Sequence, residues 1–550
     1  MNSPSRRARL TAATIALPLA TALTLSGCST HVGGAVDVAF LPQTSPAVGD
    51  LDRVKWSLPQ EPAVLDPDAV SDTSASTVLA NVCDRLMQVQ PDLTTQPGLA
   101  SSAEWTDDTT IKFILRPNVR FHDGSTMDAD SVVWSLQRHM AEDAEESDEY
   151  GNVESVSATG PLEVTVKMKQ RDAIFLQAMA GNGGIIFSPS AVADAGDNFG
   201  GPGSTDACSG RYRVGEWKSG TSLTLNRFDE YWNTDRTAHT QRILFTWADD
   251  DAVTNSLIGG EVQGAYLGTA AAAVPLLGNS DFTVAQGPAT NAWSLIPTRS
   301  GLLSDVRVRR ALSLALDREG VARAGFASLA TPAKTPLGEG AWGYERDAFA
   351  AADEQLEGAP AKPSADDLEA ATSLIREAGD EGKELVVASD GQPVRNVIAN
   401  SIASAAKKIG LSPKIIVVPP QQYGDFYSDE ALRAKADLFS DEYYISKNDP
   451  VGFYKNAAST AGLNYLGFND PAVDAMIPKA KAATDETARA ALAIALQNKW
   501  NDAMIWIPVV ETPTTLAMAS DITGAVASAA YLYYPWAADL GAARKDGEGK

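Results

Sequence analysis

The sequence predicts an α/β protein built from two or more lobes. Three observations lead there. Short β-rich runs alternate with helical patterns along almost the whole chain. A strand, a helix and a strand follow one another over 384–418, which is a βαβ unit. And 550 residues are more than one hydrophobic core usually supports.

The first fifty residues stand apart from this pattern. Arg6, Arg7 and Arg9 precede an apolar stretch from Leu10 to Leu25, which ends in Leu25-Ser26-Gly27-Cys28. A positive start, a short apolar run and small residues at its end describe a secretory signal. The run is shorter than the ~20 apolar residues that a membrane-crossing helix needs. Leu-Ser-Gly-Cys resembles the bacterial lipobox, in which the cysteine becomes the first mature residue and carries lipid (palmitate). Residues 1–27 are therefore expected to be a lipoprotein signal peptide, with Cys28 as the anchor. Residues 28–50 are rich in Gly, Ser, Thr, Pro and Val without periodicity, which suits a flexible tether.

Beyond the tether, Arg53 to Leu58 reads as the first strand. Ser74 to Met87 reads as a helix with Val78, Val82 and Leu86 on one face. Strands are expected at Ile111–Leu115, Leu162–Met168, Ser222–Asn226 and Arg242–Trp247. A helix opens at Ser304 or Asp305 and runs to about Gly320, with Arg309 and Arg318 on its wet side. Another begins at Ser364 with Asp367 as capping partner and stops at Gly379. The βαβ unit follows: a strand at Glu384–Ala388, a helix from about Val394 to Ile409 and a strand at Lys414–Val418.

Composition excludes several functions. The net charge is −25, and a nucleic-acid partner would be repelled. Three cysteines occur; with Cys28 lipidated, Cys83 and Cys208 remain, either as one disulfide or as two separate thiols. Only four histidines are present (His31, His122, His139 and His239), and no CxxC or HExxH spacing appears, so neither a metal site nor a cofactor is expected. The acidic cluster Glu142 to Glu149 lacks the EF-hand spacing and reads as a solvated loop rather than a calcium site. No GxSxG elbow is found, His122-Asp123 is explained by a turn, and Gly201-Pro202-Gly203 lacks the context of a nucleotide loop. An enzyme is not expected; a secreted hydrolase is the remote alternative.

One family accounts for the order of short elements. Gly98-Leu99-Ala100, Glu104-Trp105, Asp107-Asp108-Thr109, Ile111 to Arg116, Val119-Arg120-Phe121-His122-Asp123-Gly124 and Asp130 to Arg138 follow in sequence. Later come Gly210-Arg211-Tyr212, Asn226 to Trp232, Asp249 to Gln263, Val306 to Arg318 and Asn464 to Asp474. Together they resemble the large extracytoplasmic solute-binding proteins, family 5, that serve peptide, dipeptide and nickel ABC importers. The resemblance implies the periplasmic-binding-protein-like fold of large cluster C type, with a hinge and an interlobe cleft. Lobe I would hold 51–295 plus 509–550, including an extra subdomain at about 90–210, and lobe II 300–508. It implies a monomeric lipoprotein on the extracytoplasmic face of the cell membrane (the periplasmic space), delivering peptides to permease subunits. The alternative cargo is a non-peptide solute such as a metal chelate, haem or an oligosaccharide.

In that family an Asp shortly before an Asp-Pro often anchors the peptide ammonium. Here Ser446 stands three residues before Asp449-Pro450, and Asp441 lies further upstream. Asp441 is the first ligand candidate. Tyr443 and Tyr444 are candidate cleft aromatics, Trp293 a candidate wall on the crossing strand, and Arg395 a candidate partner for a carboxylate. Trp342, with Tyr344, lies in a Gly-rich loop placed to cover the ligand.

Overall fold

The computed structural model describes residues 38–69, 72–204, 207–236, 238–299 and 301–544. Cys28 and the expected signal peptide lie outside the described residues. Seven strands of one sheet come first, with a separate subdomain inserted after the second: Ala39–Phe40 (β1), Val54–Leu58 (β2), Tyr212–Lys218 (β3), Ser222–Arg227 (β4), Arg242–Trp247 (β5), Gly264–Leu267 (β6) and Phe282–Gly287 (β7). The chain then makes a six-stranded sheet from Ala292–Pro297 (β8), Thr331–Pro332 (β9), Glu384–Ser389 (β10), Ser412–Val417 (β11), Leu438–Tyr443 (β12) and Ile507–Glu511 (β13). Thr514–Ala519 (β14) rejoins the first sheet. The spatial orders are β1-β7-β14-β6-β2-β5-β4-β3 and β9-β13-β8-β12-β10-β11.

Both sheets mix parallel and antiparallel pairs, and helices cover them. β8 is buried at all six positions, as a central strand covered on both faces must be. β10 and β11 pair in parallel across the helix Pro393–Lys408, the expected βαβ unit. Ser364 and Asp367 form a reciprocal capping box on the helix Ala365–Ala378, and Gly379 ends it at φ 73°. A separate four-stranded antiparallel sheet, Ala100–Trp105, Thr110–Leu115, Glu163–Met168 and Val153–Gly160, lies against the helix Ala129–His139.

Cys83 and Cys208 are joined as a disulfide, with Cα atoms 4.7 Å apart and 125 residues between them. Beside it Asp84 is buried and accepts hydrogen bonds from Trp232 Nε1 (2.7 Å), Tyr231 (3.0 Å) and Ser209 (3.1 Å). Burial raises its pKa against those bonds. The Tyr-Trp pair of the 226–232 element thus satisfies a buried carboxyl.

Several expectations need correction. The helix expected over 74–87 runs only from Thr73 to Val82, because Met87–Val89 forms a strand with Thr95–Pro97. The helix expected from Ser304 to Gly320 is two, Val306–Ala315 and Arg318–Phe326. The stretch 38–50 is not a free tether: β1 pairs with β7, and Gln43 Nε2 donates to Gly524 O at 3.0 Å. The chain changes sheets between Gly287 and Ala292, and again between Glu511 and Thr514, so β8 and β13 each lie wholly in the second sheet.

The arginines expected on the wet side are buried. Arg318, fully covered, donates to the carbonyls of Pro508 (2.9 Å), Ser313 (2.9 Å) and Pro360 (3.1 Å) and to Ser313 Oγ (2.8 Å). Arg309 donates to Met504 O at 2.9 Å and to Ala503 O. Burial pulls their pKa values down to about 9 and about 10. A planar fork of five donors serves several carbonyls at once, which a lysine cannot do.

Two stability outcomes follow. Replacing Cys83 and Cys208 together by serine should lower the unfolding free energy by about 2–5 kcal/mol in urea titrations, since the bond closes a long loop. Arg318→Ala should cost about 3 kcal/mol or more, because each acceptor left unpaired costs roughly 1–3 kcal/mol. Arg318→Lys should recover only a small part of that loss in the same titration.

Candidate ligand-binding cleft

β12 runs from the core into open space. Leu438, Phe439 and Ser440 are buried, the next three residues are half-buried, and Tyr444 just beyond is 61% exposed. One edge of β12 pairs with β8 as far as Tyr443. On the other edge β10 meets it only at Val387 and Leu438. Among the described residues, the main chain of 444–447 makes no hydrogen bond to other main-chain groups.

Four cavities surround this strand end. One of about 460 Å³ is lined by Asp441 to Lys447 together with Tyr427. A second, about 230 Å³, extends from Tyr444 and Ser446 to Asp72, Thr73 and Ser76 at the start of the helix Thr73–Val82, and to Tyr531 and Tyr533. A third, about 570 Å³, is walled by Glu142 to Glu149 opposite Tyr444 and Lys447. The fourth, about 200 Å³, is lined by Tyr266, Trp293, Phe326, Glu442 and Tyr531. The fourth draws its lining from strands of both sheets.

The two halves also touch directly at the rim. Lys447 forms an ion pair with Glu149. Asn448 Nδ2 donates to Leu93 O at 2.6 Å, and Ala173 N donates to Lys481 O at 2.7 Å. Ser446, at the position where the resemblance expects an acid, donates to Glu149 Oε1 at 3.4 Å.

Three of the sequence candidates come together. Arg395 donates to Asp441 Oδ1 at 2.6 Å, to Asp390 Oδ2 at 2.9 Å and to Ser440 O at 3.3 Å. Its guanidinium lies 4.4 Å from the Tyr423 ring centre and 5.6 Å from that of Trp293. Tyr427 donates to the other oxygen of Asp441 at 3.0 Å. Burial opposes the charge on Arg395, but the hydrogen bond and charge of Asp441 hold its pKa above the ordinary value. The pair is already neutralised within the protein, so neither member is a bare charge waiting for a peptide terminus.

Of the others, Tyr444 faces three of the cavities. Tyr443 lines one of them but packs edge-on against Phe453 and Trp506, at 5.4 and 5.3 Å. Trp342 does not cover the cleft: it stacks on Phe349 at 6.2 Å and lines none of the four cavities. Tyr344 is buried, donates to Asp449 Oδ1 at 3.3 Å and lies beneath Arg489. The Gly-rich loop goes inward because its glycines allow close approach. A Cβ at Gly338 would stand 2.3 Å from Ala289 O, and one at Gly343 2.3 Å from Asn448 O.

Glu442 escaped the sequence reading, although alternation along β12 puts it on the face opposite Asp441. Its carboxylate accepts from the Thr512 hydroxyl and the Asn291 side chain, one from each crossing. The Lys447–Glu149 pair and the role of Asn291 had no sequence signal, since the partners are far apart in the chain. Two further acids are held up by burial. Glu511, at the return crossing, is pushed up to about 8 despite accepting a hydrogen bond from Glu339 N–H. Glu146, in the acidic wall, is pushed up to about 7 by burial and by the charge of Glu149.

Two sheet-centred halves joined by paired crossings, with cavities between them, define the periplasmic-binding-protein class of fold. Solved structures agree. The murein tripeptide binding protein MppA, in its unliganded open form, superposes with a TM-score of 0.76 at 19% identity, over 92% of this chain and 99% of that one. CtaP from Listeria monocytogenes gives 0.75 at 20% identity, over 90% and 100%. DppA from Helicobacter pylori, in complex with a peptide, gives 0.70 at 17% identity, over 90% and 99%. Bacterial extracellular solute-binding proteins, family 5 (middle), match over residues 94–465, and the chain belongs to that family. The glutathione-binding protein GsiB of Salmonella paratyphi A is 25% identical over 276 residues, 49% of this chain and 53% of the relative. That of Pectobacterium atrosepticum is 25% identical over 280 residues, 50% and 53% respectively. The chain spans about half the length of these curated relatives.

A carboxyl with a raised native pKa stabilises the fold below its unfolded pKa, and that contribution is lost as pH rises through the native value. Glu511 and Glu146 therefore make stability fall between about pH 4.5 and 8. Thermal melts across that window should show a shallower decline in Glu511→Gln and in Glu146→Gln than in the parent protein.

Proposed function

We propose that the protein is the substrate-binding component of an ABC importer, held by lipid on Cys28 at the extracytoplasmic face of the membrane, and that it carries short peptides. It acts as a monomeric carrier rather than an enzyme. The observation that carries this reading is the strand continuation 444–447, whose main chain pairs with no other main chain among the described residues and lies among the cavities between the halves. An extended peptide can add to such an edge through main-chain hydrogen bonds, largely regardless of its side chains. The relatives support the cargo class, since proteins of this fold are described as binding a murein tripeptide, a peptide and glutathione.

The mechanism follows from where the cavities lie. A ligand beside Tyr444 touches the second sheet's strand end and, across the gap, the start of the helix Thr73–Val82 and Tyr531. It therefore binds the closed form more tightly, which is the condition for a ligand to drive closure. The rim contacts from Lys447 to Glu149 and from Asn448 to Leu93 tighten that form, and the permease then recognises it. Because Asp441 is paired with Arg395 and Ser446 replaces the family's acid, the ligand's amine is not anchored where the family places it.

Mass spectrometry of the ligand released by denaturing freshly purified protein tests the reading. A ladder of short peptides is the expected result; a single non-peptide solute would overturn the cargo assignment. Tyr444→Ala should weaken peptide binding about tenfold, roughly 1.4 kcal/mol, by isothermal titration. Its melting temperature should not change, since the side chain is exposed.

A further inference from the structure

We infer that the cavity of about 200 Å³ beside Glu442 is a subsite for a cationic group on the cargo, a lysine-like side chain or an amine, with Glu442 as the selecting carboxylate. The inference rests on the peptide-carrier reading and deepens it.

The cavity opens from the main cleft. Glu442 also lines the 460 Å³ cavity, and Asn291, Thr514 and Tyr531 also line the 230 Å³ one. Its volume is below the ~300 Å³ at which sites for whole ligands begin, so it takes one part of a ligand. Tyr266 and Tyr531 wall it from the first half, and Trp293 and Phe326 from the second. Aromatic walls suit an aliphatic stem, and ring faces attract a cation within about 6 Å. A group that fills the cavity touches both halves and so favours closure.

The carboxylate differs in kind from its neighbour. Asp441 is neutralised by Arg395 at 2.6 Å. Glu442 is held by an uncharged hydroxyl, from Thr512, and an uncharged amide, from Asn291. Among the described residues no basic side chain lies within ion-pair distance of it. A carboxylate offers about four acceptor sites, so sites remain after those two bonds. Burial and the neighbouring charge of Asp441 raise its pKa, against the two hydrogen bonds and the more distant charge of Arg395, and a cation bound beside it would favour the ionised form. The acidic wall Glu142 to Glu149 across the cleft adds a field that concentrates cations at the entrance.

Glu442 could instead serve only to tie the two crossings together. Glu442→Gln separates the roles, because glutamine keeps an acceptor for Thr512 but loses the charge. Isothermal titration would compare trialanine analogues carrying lysine or norleucine at the first, second or third position, on the parent protein and on Glu442→Gln. At one position lysine should bind at least tenfold more tightly than norleucine. In Glu442→Gln that ratio should fall to within twofold. A lysine preference absent at every position, or one that survives in Glu442→Gln, would overturn the subsite. If no tripeptide binds at all, the peptide reading fails separately, and cadaverine becomes the probe. Cadaverine binding that is lost in Glu442→Gln would sustain the subsite, and no binding would refute it.

Discussion

The double crossing between the two sheets constrains everything else in the cleft. β7 and β14 lie side by side in the first sheet, and β8 and β13 lie side by side in the second. The links that join them, 288–291 and 512–513, must therefore run together through the gap. The first link leaves a tightly packed end of the first half: a Cβ at Gly287 would stand 2.6 Å from the carbonyls of Leu41 and Ala527. Glu442 bridges the two links through Asn291 and Thr512, so a residue of the cavity is also attached to the hinge. Any group that changes the charge state of Glu442 acts on the segment about which the halves would move.

Charge is handled in two ways in this chain. Arg309 and Arg318 are buried and spend their donors on carbonyls, so their charge stabilises helix ends and loops within the second half. Arg395 lies at the cleft but is bound by Asp441 and Asp390, which makes it a support for the strand end rather than an open anion receptor. The acids are less fully matched. Among the described residues the wall from Glu142 to Glu149 makes one ion pair, with Lys447, and Glu442 makes none, Arg395 acting on it only from beyond contact. The local balance in the cleft is thus tilted toward accepting positive charge, in keeping with a net charge of −25 over the whole sequence.

Much of the fold was legible in the sequence because it depends on short-range rules. Arg242 to Trp247 alternates and is a strand over that span, and the Ser364–Asp367 box sets its helix start. The spaced words between Gly98 and Arg138 located the family without any contact map. What misled was side-chain polarity on helices: Arg309 and Arg318 look like solvent-facing positions, yet carbonyls from distant segments draw them inward. Trp342 looked like part of a cover, but the close approach permitted at Gly338 and Gly343 turns its loop toward the core.

The candidate site divides the same way. The sequence by itself determined the family and most of the order of elements, and put Asp441, Tyr444, Arg395 and Trp293 on or beside particular strands, because hydrophobic period and turn residues act over a few positions. Only the tertiary structure decided that Asp441 and Arg395 neutralise each other, that Lys447 meets Glu149, and that Glu442 faces an aromatic cavity with uncharged partners. Those outcomes depend on which segments the two crossings bring together, and electrostatic pairing over a few ångströms leaves no local trace in the chain.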